Sequence, residues 1–259
     1  MISGESTSHR RRKIKKADRL FLSPQNDRDL FFEKVIPFPK DGLVDSSEFP
    51  FDYVVGIDEV GVACLAGPVV SCCFIYCVSS KKGSWVDETI PVPIFDSKNL
   101  SDTEKRQSEL WLKNLDCCHR GFGEASPQEI DELNIYHATG LAMSRAFQNA
   151  CDGPFFKDLE KARMLVLIDG NRVPKEIPRS ASRFVVPIVK GDTLSFAIAA
   201  ASILAKTSRD QLMASYSEDP QFSHYGWNTN VGYPTLAHKK AIQQNGLTEL
   251  HRRSFRSEL

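Results

Sequence analysis

The sequence lacks an excess of either charge: 33 lysines and arginines are balanced by 33 aspartates and glutamates. Such a chain does not carry the uniform positive field by which many proteins gather phosphate. It also has no apolar run of membrane-spanning length, and its N-terminus has no apolar core of the secretory type. Those two absences lead us to expect a cytoplasmic protein with no membrane partner. The seven cysteines include no Cys-x-x-Cys spacing, so reduced core thiols are expected in place of a zinc site or a disulfide framework. What is present is ordinary for a soluble globular chain, with 41% hydrophobic and 25% charged residues. A length of 259 residues suffices for one substantial domain with a tail, or for two small ones.

The neutral average hides one asymmetry. Arg10, Arg11, Arg12, Lys13, Lys15, Lys16 and Arg19 face only Glu5 and Asp18 at the start of the chain. Residues 1–50 are polar and then punctuated by Pro37, Pro39 and Pro50, with no sustained hydrophobic period. We expect a basic, partly disordered N-terminal extension there, its later part an extended arm lying on a domain that spans 51–259. The basic run either supplies phosphate affinity through counterion release or is a solvated tail or a targeting address.

Within the domain the chain is organised around Val54 to Val70. Apolar β-branched pairs bracket Asp58-Glu59 and a glycine-containing turn, so the pattern predicts a buried strand that delivers two acids to its end, then a second strand over Val69–Val78. Adjacent carboxylates at such a place are exposed at the strand end, paired with an opposite charge or bound to a metal, because burial without compensation would neutralise them. Pro91 to Phe95 reads as a third strand. Ser101 with Glu104 then forms a capping box for a helix to about Asn114, and Ser126-Pro127 with Glu129 opens another to about Ala150. Cys117–Glu124, Met164–Ile168 and Phe184–Val189 read as further strands, and Ser195–Met213 as the best-defined helix. Asp169, followed by Gly170, repeats the placement of Asp58, although an aspartate that merely opens a turn is common.

These segments carry an ordered likeness to one family. Gly56-Ile57-Asp58-Glu59, Asp96-Ser97-Lys98-Asn99-Leu100-Ser101, Asn134-Ile135 with Ala138-Thr139, Ser195 to Lys206, Asn230 to His238 and His251-Arg252 with Ser254-Phe255 resemble, in the same order, the motifs of type 2 ribonuclease H, ribonuclease HII. The resemblance implies the α/β ribonuclease H-like fold, a mixed central sheet flanked by helices. It implies endonucleolytic cleavage of the RNA strand of RNA-DNA hybrids, or of duplex DNA containing ribonucleotides, to 5′-phosphate and 3′-hydroxyl ends. It further implies that Asp58, Glu59, Asp169 and Asp192 are the catalytic carboxylates and hold Mg²⁺ or Mn²⁺, two ions during turnover. Four acids without histidine or thiolate suit hard cations of this kind, which in two-metal sites clamp the attacking and leaving oxygens. A monomer is expected.

By the same resemblance, Lys98, Tyr233 and the Gly61-Val62-Ala63 turn would meet the substrate. That tripeptide departs from the family's Gly-Arg-Gly, and Cys64 follows where proline is usual. The missing arginine removes a phosphate contact, and Ala63 would be strained if its position required a positive φ. The sequence therefore predicts retained hybrid cleavage with weakened incision at single ribonucleotides. Two other classes stay open: a catalytically impaired hybrid-binding protein, and a DNA-strand nuclease or transposase of the same fold. Ribonuclease HIII fits the Tyr233 and Asp169-Gly170 contexts less well than ribonuclease HII does.

Overall fold

The computed structural model describes residues 22–31, 49–78, 90–116, 118–152, 162–180 and 182–258. The basic run near Arg10, residues 79–89, Cys117 and residues 153–161 fall outside them. Five strands form one mixed sheet in the order β3-β2-β1-β4-β5, from β1 (Tyr53–Val60), β2 (Val69–Cys77), β3 (Cys118–Ala125), β4 (Met164–Asp169) and β5 (Arg183–Ile188). β1, β2 and β3 are antiparallel neighbours, whereas β4 runs parallel to β1 and β5 parallel to β4.

Alternation along the strands sorts their side chains onto two faces. Val54, Cys72, Phe74, Leu165 and Leu167 pack with α4 (Phe196–Glu218), while Val55, Ile57, Cys73, Ile75, Val166 and Ile168 pack with α3 (Pro127–Cys151). All of β2 but its last residue is buried, as expected for a strand covered on both sides. α4 lies against β1 at Gly56, where a methyl group would stand 2.1 Å from the Ala197 carbonyl carbon. Glycine is required there for the close approach. A smaller cluster of Leu65, Ala66, Met213, Trp227 and Ile242 lies under the turn that joins β1 to β2.

The helix starts follow their local chemistry. Ser101 and Glu104 cap each other at the start of α2 (Asp102–Lys113), and Ser126 and Glu129 do the same for α3. Thr235 caps α5 (Leu236–Asn245), which Gly246 ends at a φ of 81°.

Three expectations need correction. Pro91–Phe95 is irregular rather than a strand: Pro91 and Pro93 have no N–H to give a ladder, and the Pro93 carbonyl accepts from the Ser108 hydroxyl instead. The third antiparallel strand is β3, which follows α2. Within the extension, Pro24–Leu30 is a helix, α1, with Ser23 before it and proline at its start, so that part of the arm is not extended. Finally, α3 is bent at Asn134, whose φ of 66° lets its carboxamide oxygen cap the N–H groups of Tyr136 and His137.

Candidate active site

β1 extends further than its apolar residues suggest, so Asp58 and Glu59 are its sixth and seventh residues and not appendages beyond it. Ile57 pairs with Ile168 across the parallel β1–β4 ladder, which makes Asp58 and Asp169 neighbours one step on, both on the α4 side of the sheet. Asp192 arrives from the next segment, in a single 3-10 turn (Gly191–Thr193) that leads from β5 into α4. The Gly191 N–H donates to Asp169 Oδ1 at 2.7 Å, tying that turn to the end of β4. Three separated segments therefore bring four acids to one rim.

Their electrostatics record the crowding. Burial pushes the Asp58 carboxyl well above its ordinary range, and Glu59, Asp169 and Asp192 push it further against a hydrogen bond with the Ser202 hydroxyl. Burial, with Asp169 next, raises Glu59 to about 7, and burial, then Asp96 and Asp169, raises Asp192 to about 6. Lys98 opposes both shifts, its Nζ standing 3.8 Å from Asp192 Oδ2. Burial alone would lower Lys98, but Asp192, Asp96, Asp58 and Asp169 together hold its ammonium above the ordinary value.

Donor chemistry tests whether divalent cations suit this rim. The donors are carboxylate oxygens, mutually repelling and largely removed from water, which is the set a hard cation prefers. Among the described residues, no three Asp, Glu, His or Cys side chains are gathered closely enough to hold an ion as they stand. One oxygen of Asp58 is turned onto the Glu59 N–H at 2.7 Å, and one of Asp169 onto Gly191. The residues fit such ions in kind, and rotation of these side chains would turn their oxygens onto one.

Beside the acids lies the turn Gly61-Val62-Ala63. Gly61 has a φ of 94°, and a methyl there would come within 2.3 Å of Arg209 Nε. Ala63 is not among the positive-φ residues, so the strain expected of it is absent. The turn is fixed from beneath by two buried arginines that sequence reasoning had not singled out. Arg252 donates to the carbonyls of Gly61, Val62 and Gly67, and Arg209 to those of Ala66, Pro68 and Val231. With those carbonyls turned inward, the exposed N–H groups of Val62 and Ala63 donate no hydrogen bond among the described residues.

Tyr233 is drawn against the same turn, because Leu65 N–H donates to the Gly232 carbonyl at 2.8 Å. Burial, then the Cys64 thiol, raises its hydroxyl above the ordinary value. Asp96 and Ser202 also escaped the sequence reading. Asp96 was available as a signal, since it opens the Asp-Ser-Lys segment and accepts from Lys98 N–H at 2.9 Å. His238 and His251 face each other at 3.3 Å beneath Trp227, and burial lowers both, His251 to about 4. They form a neutral core pair.

The ribonuclease HII family model matches residues 55–258. Ribonuclease HII of Magnetococcus marinus is 42% identical over 201 residues, covering 78% of this chain and 83% of that protein. Among solved structures, ribonuclease H2 of Pyrococcus horikoshii OT3 superposes with a TM-score of 0.58 at 20% identity, over 78% of this chain and 93% of that one. Bst-RNase HIII in complex with Mn²⁺ gives 0.59 at 15% identity, over 78% and 67%.

Proposed function

Because the chain belongs to the ribonuclease HII family, a family of endoribonucleases, we propose that it cuts the RNA strand of RNA-DNA hybrids to 5′-phosphate and 3′-hydroxyl ends, with Asp58, Glu59, Asp169 and Asp192 as the metal-holding catalytic acids. One observation carries this reading: the buried Asp58 carboxyl bears the repulsion of Glu59, Asp169 and Asp192 from three segments of the chain. Two bound Mg²⁺ or Mn²⁺ ions would supply an activated water and charge stabilisation for the departing 3′ oxygen. A fold neighbour solved with Mn²⁺ is consistent with that choice of ion.

The chain's own residues supply the rest. Lys98, exposed at its tip and poised beside Asp192, offers a cation to a phosphate at the rim. The free N–H groups of Val62 and Ala63 and the hydroxyl of Tyr233 offer donors to a ribose 2′-oxygen, the atom that separates RNA from DNA. Arg209 and Arg252 hold the turn so that those donors stay aimed outward. Since Ala63 costs the backbone nothing, the departure from the family tripeptide reduces to one lost charge at Val62.

Incision at a single ribonucleotide is therefore weakened and not abolished, while cleavage of long hybrids is retained. The test compares the two substrates with Mg²⁺ and with Mn²⁺. Val62→Arg should raise single-ribonucleotide incision by about tenfold, the worth of one charge-assisted phosphate contact, and change long-hybrid cleavage much less. A wild-type enzyme that strongly prefers the single-ribonucleotide duplex, or that cuts neither substrate, would overturn the reading. All four acids are retained, which argues against the non-catalytic alternative.

A further inference from the structure

The segment Leu22–Phe31 precedes the stretch matched by the family model, yet it is built into the core. Leu22, Leu30 and Phe31 are buried, and Asp27 is completely so. Three hydrogen bonds fasten it. Leu22 N–H donates to the Ile94 carbonyl at 2.9 Å, and Asp27 Oδ2 accepts from the Tyr76 hydroxyl at 3.0 Å and from the Ala197 N–H at 3.1 Å. A wholly buried carboxylate is costly, so apolar burial alone does not account for it. The places it reaches are informative.

Tyr76 belongs to β2, but the Ile94 and Ala197 anchors lie on segments that converge at Asp192. From Ile94 the backbone runs two residues to Asp96, whose carboxyl hydrogen-bonds with Asp192, and four to Lys98, which faces Asp192 at 3.8 Å. From Ala197, in the first turn of α4, it runs back through Ser195, whose N–H donates to the Gly191 carbonyl at 2.8 Å, to the turn that carries Asp192 itself. One short segment thus ties together the two approaches to a single catalytic-rim carboxylate.

We propose that Leu22–Phe31 is a strap that positions Asp192 relative to Asp96 and Lys98, with Asp27 as the positioning residue. The inference rests on the proposed role of Asp192 in holding a divalent ion. Partners that orient a metal ligand from behind typically change metal affinity when removed, even though they touch neither ion nor substrate.

The experiment uses the full chain and three variants, Asp27→Ala, Asp27→Asn and Tyr76→Phe, with thermal melting, calorimetric titration of Mn²⁺, and hybrid cleavage against Mg²⁺ concentration, all well below each melting point. Asp27→Ala should weaken Mn²⁺ binding and raise the Mg²⁺ requirement by about tenfold, the usual consequence of losing such a partner. Tyr76→Phe, which removes one hydrogen bond without emptying volume, should move both in the same direction by about threefold. Asp27→Asn keeps an acceptor for Ala197 N–H and should restore both to within about twofold of wild type. Lower melting points in Asp27→Ala and Tyr76→Phe with unchanged Mn²⁺ affinity and Mg²⁺ requirement would overturn the strap and leave a purely structural plug. If Asp27→Ala does not fold, Tyr76→Phe decides alone: wild-type metal behaviour in that variant overturns the proposal. A wild-type protein that binds no Mn²⁺ and cuts no hybrid would instead remove the catalytic reading beneath it.

Discussion

A carboxyl that burial and like neighbours push upward keeps its proton, in the folded metal-free protein, at a pH where the unfolded chain has already released it. Glu59 rises from 4.5 to about 7 and Asp192 from 3.8 to about 6. Between roughly pH 4 and pH 7 the folded state therefore holds more protons, so its stability falls as pH rises, with no penalty below that window and the full penalty above it. Thermal melts in a chelator should decline across this window, and Mg²⁺ should restore most of the loss at the upper end. Burial raises Asp27 to about 6 and adds a decline of the same sign that Mg²⁺ does not relieve. The same repulsion makes Asp58→Asn and Asp192→Asn informative. Each should reduce hybrid cleavage by ~10³-fold or more while sparing or raising the metal-free melting temperature. A strongly destabilised Asp192→Asn protein would count against the acids as a mutually repelling set.

Elements whose cues are local were legible in the sequence. The Ser101–Glu104 and Ser126–Glu129 boxes gave their helix starts to the residue, because both partners of each cap lie within one turn. Pro91–Phe95 misleads because its apolar residues imitate a strand while two prolines deny it a ladder. The turn after β1 shows the same division between local and distant causes. Its glycine was visible, but its fixation by Arg209 and Arg252, 141 to 191 residues away, leaves no periodic trace. Gly61→Ala should cost about 2 kcal/mol or more, from a positive φ and the collision with Arg209, whereas Ala63→Gly should change stability by less than about 1 kcal/mol. Denaturant melts of the two variants check this, and equal costs would mean that the turn is not held as described.

At the scale of the whole molecule, a neutral chain must handle a polyanion with locally arranged charge. The rim acids became candidates through the order of motifs along the chain; their convergence at one sheet edge is a tertiary fact that spacing alone did not contain. Asp27 was invisible for the same reason, since its partners Tyr76 and Ala197 lie 49 and 170 residues away. We propose the basic run near the N-terminus as a separate source of phosphate affinity. Replacing Arg10, Arg11, Arg12 and Lys13 with alanine should flatten the dependence of hybrid affinity on salt by up to roughly 3 to 4 in logarithmic slope while leaving kcat unchanged. Binding measured across a salt series decides this, and an unchanged slope would assign the run to a solvated tail or an address.

Where β1 passes under α4, Gly56 leaves two main chains resting on each other. Sheet and helix are already at their limit of approach, so neither layer could tighten around a cation bound at the rim as proposed. For the ion proposed at the rim, accommodation would fall to the acidic side chains and to the turn that carries Asp192: a caliper with a fixed frame and moving jaws.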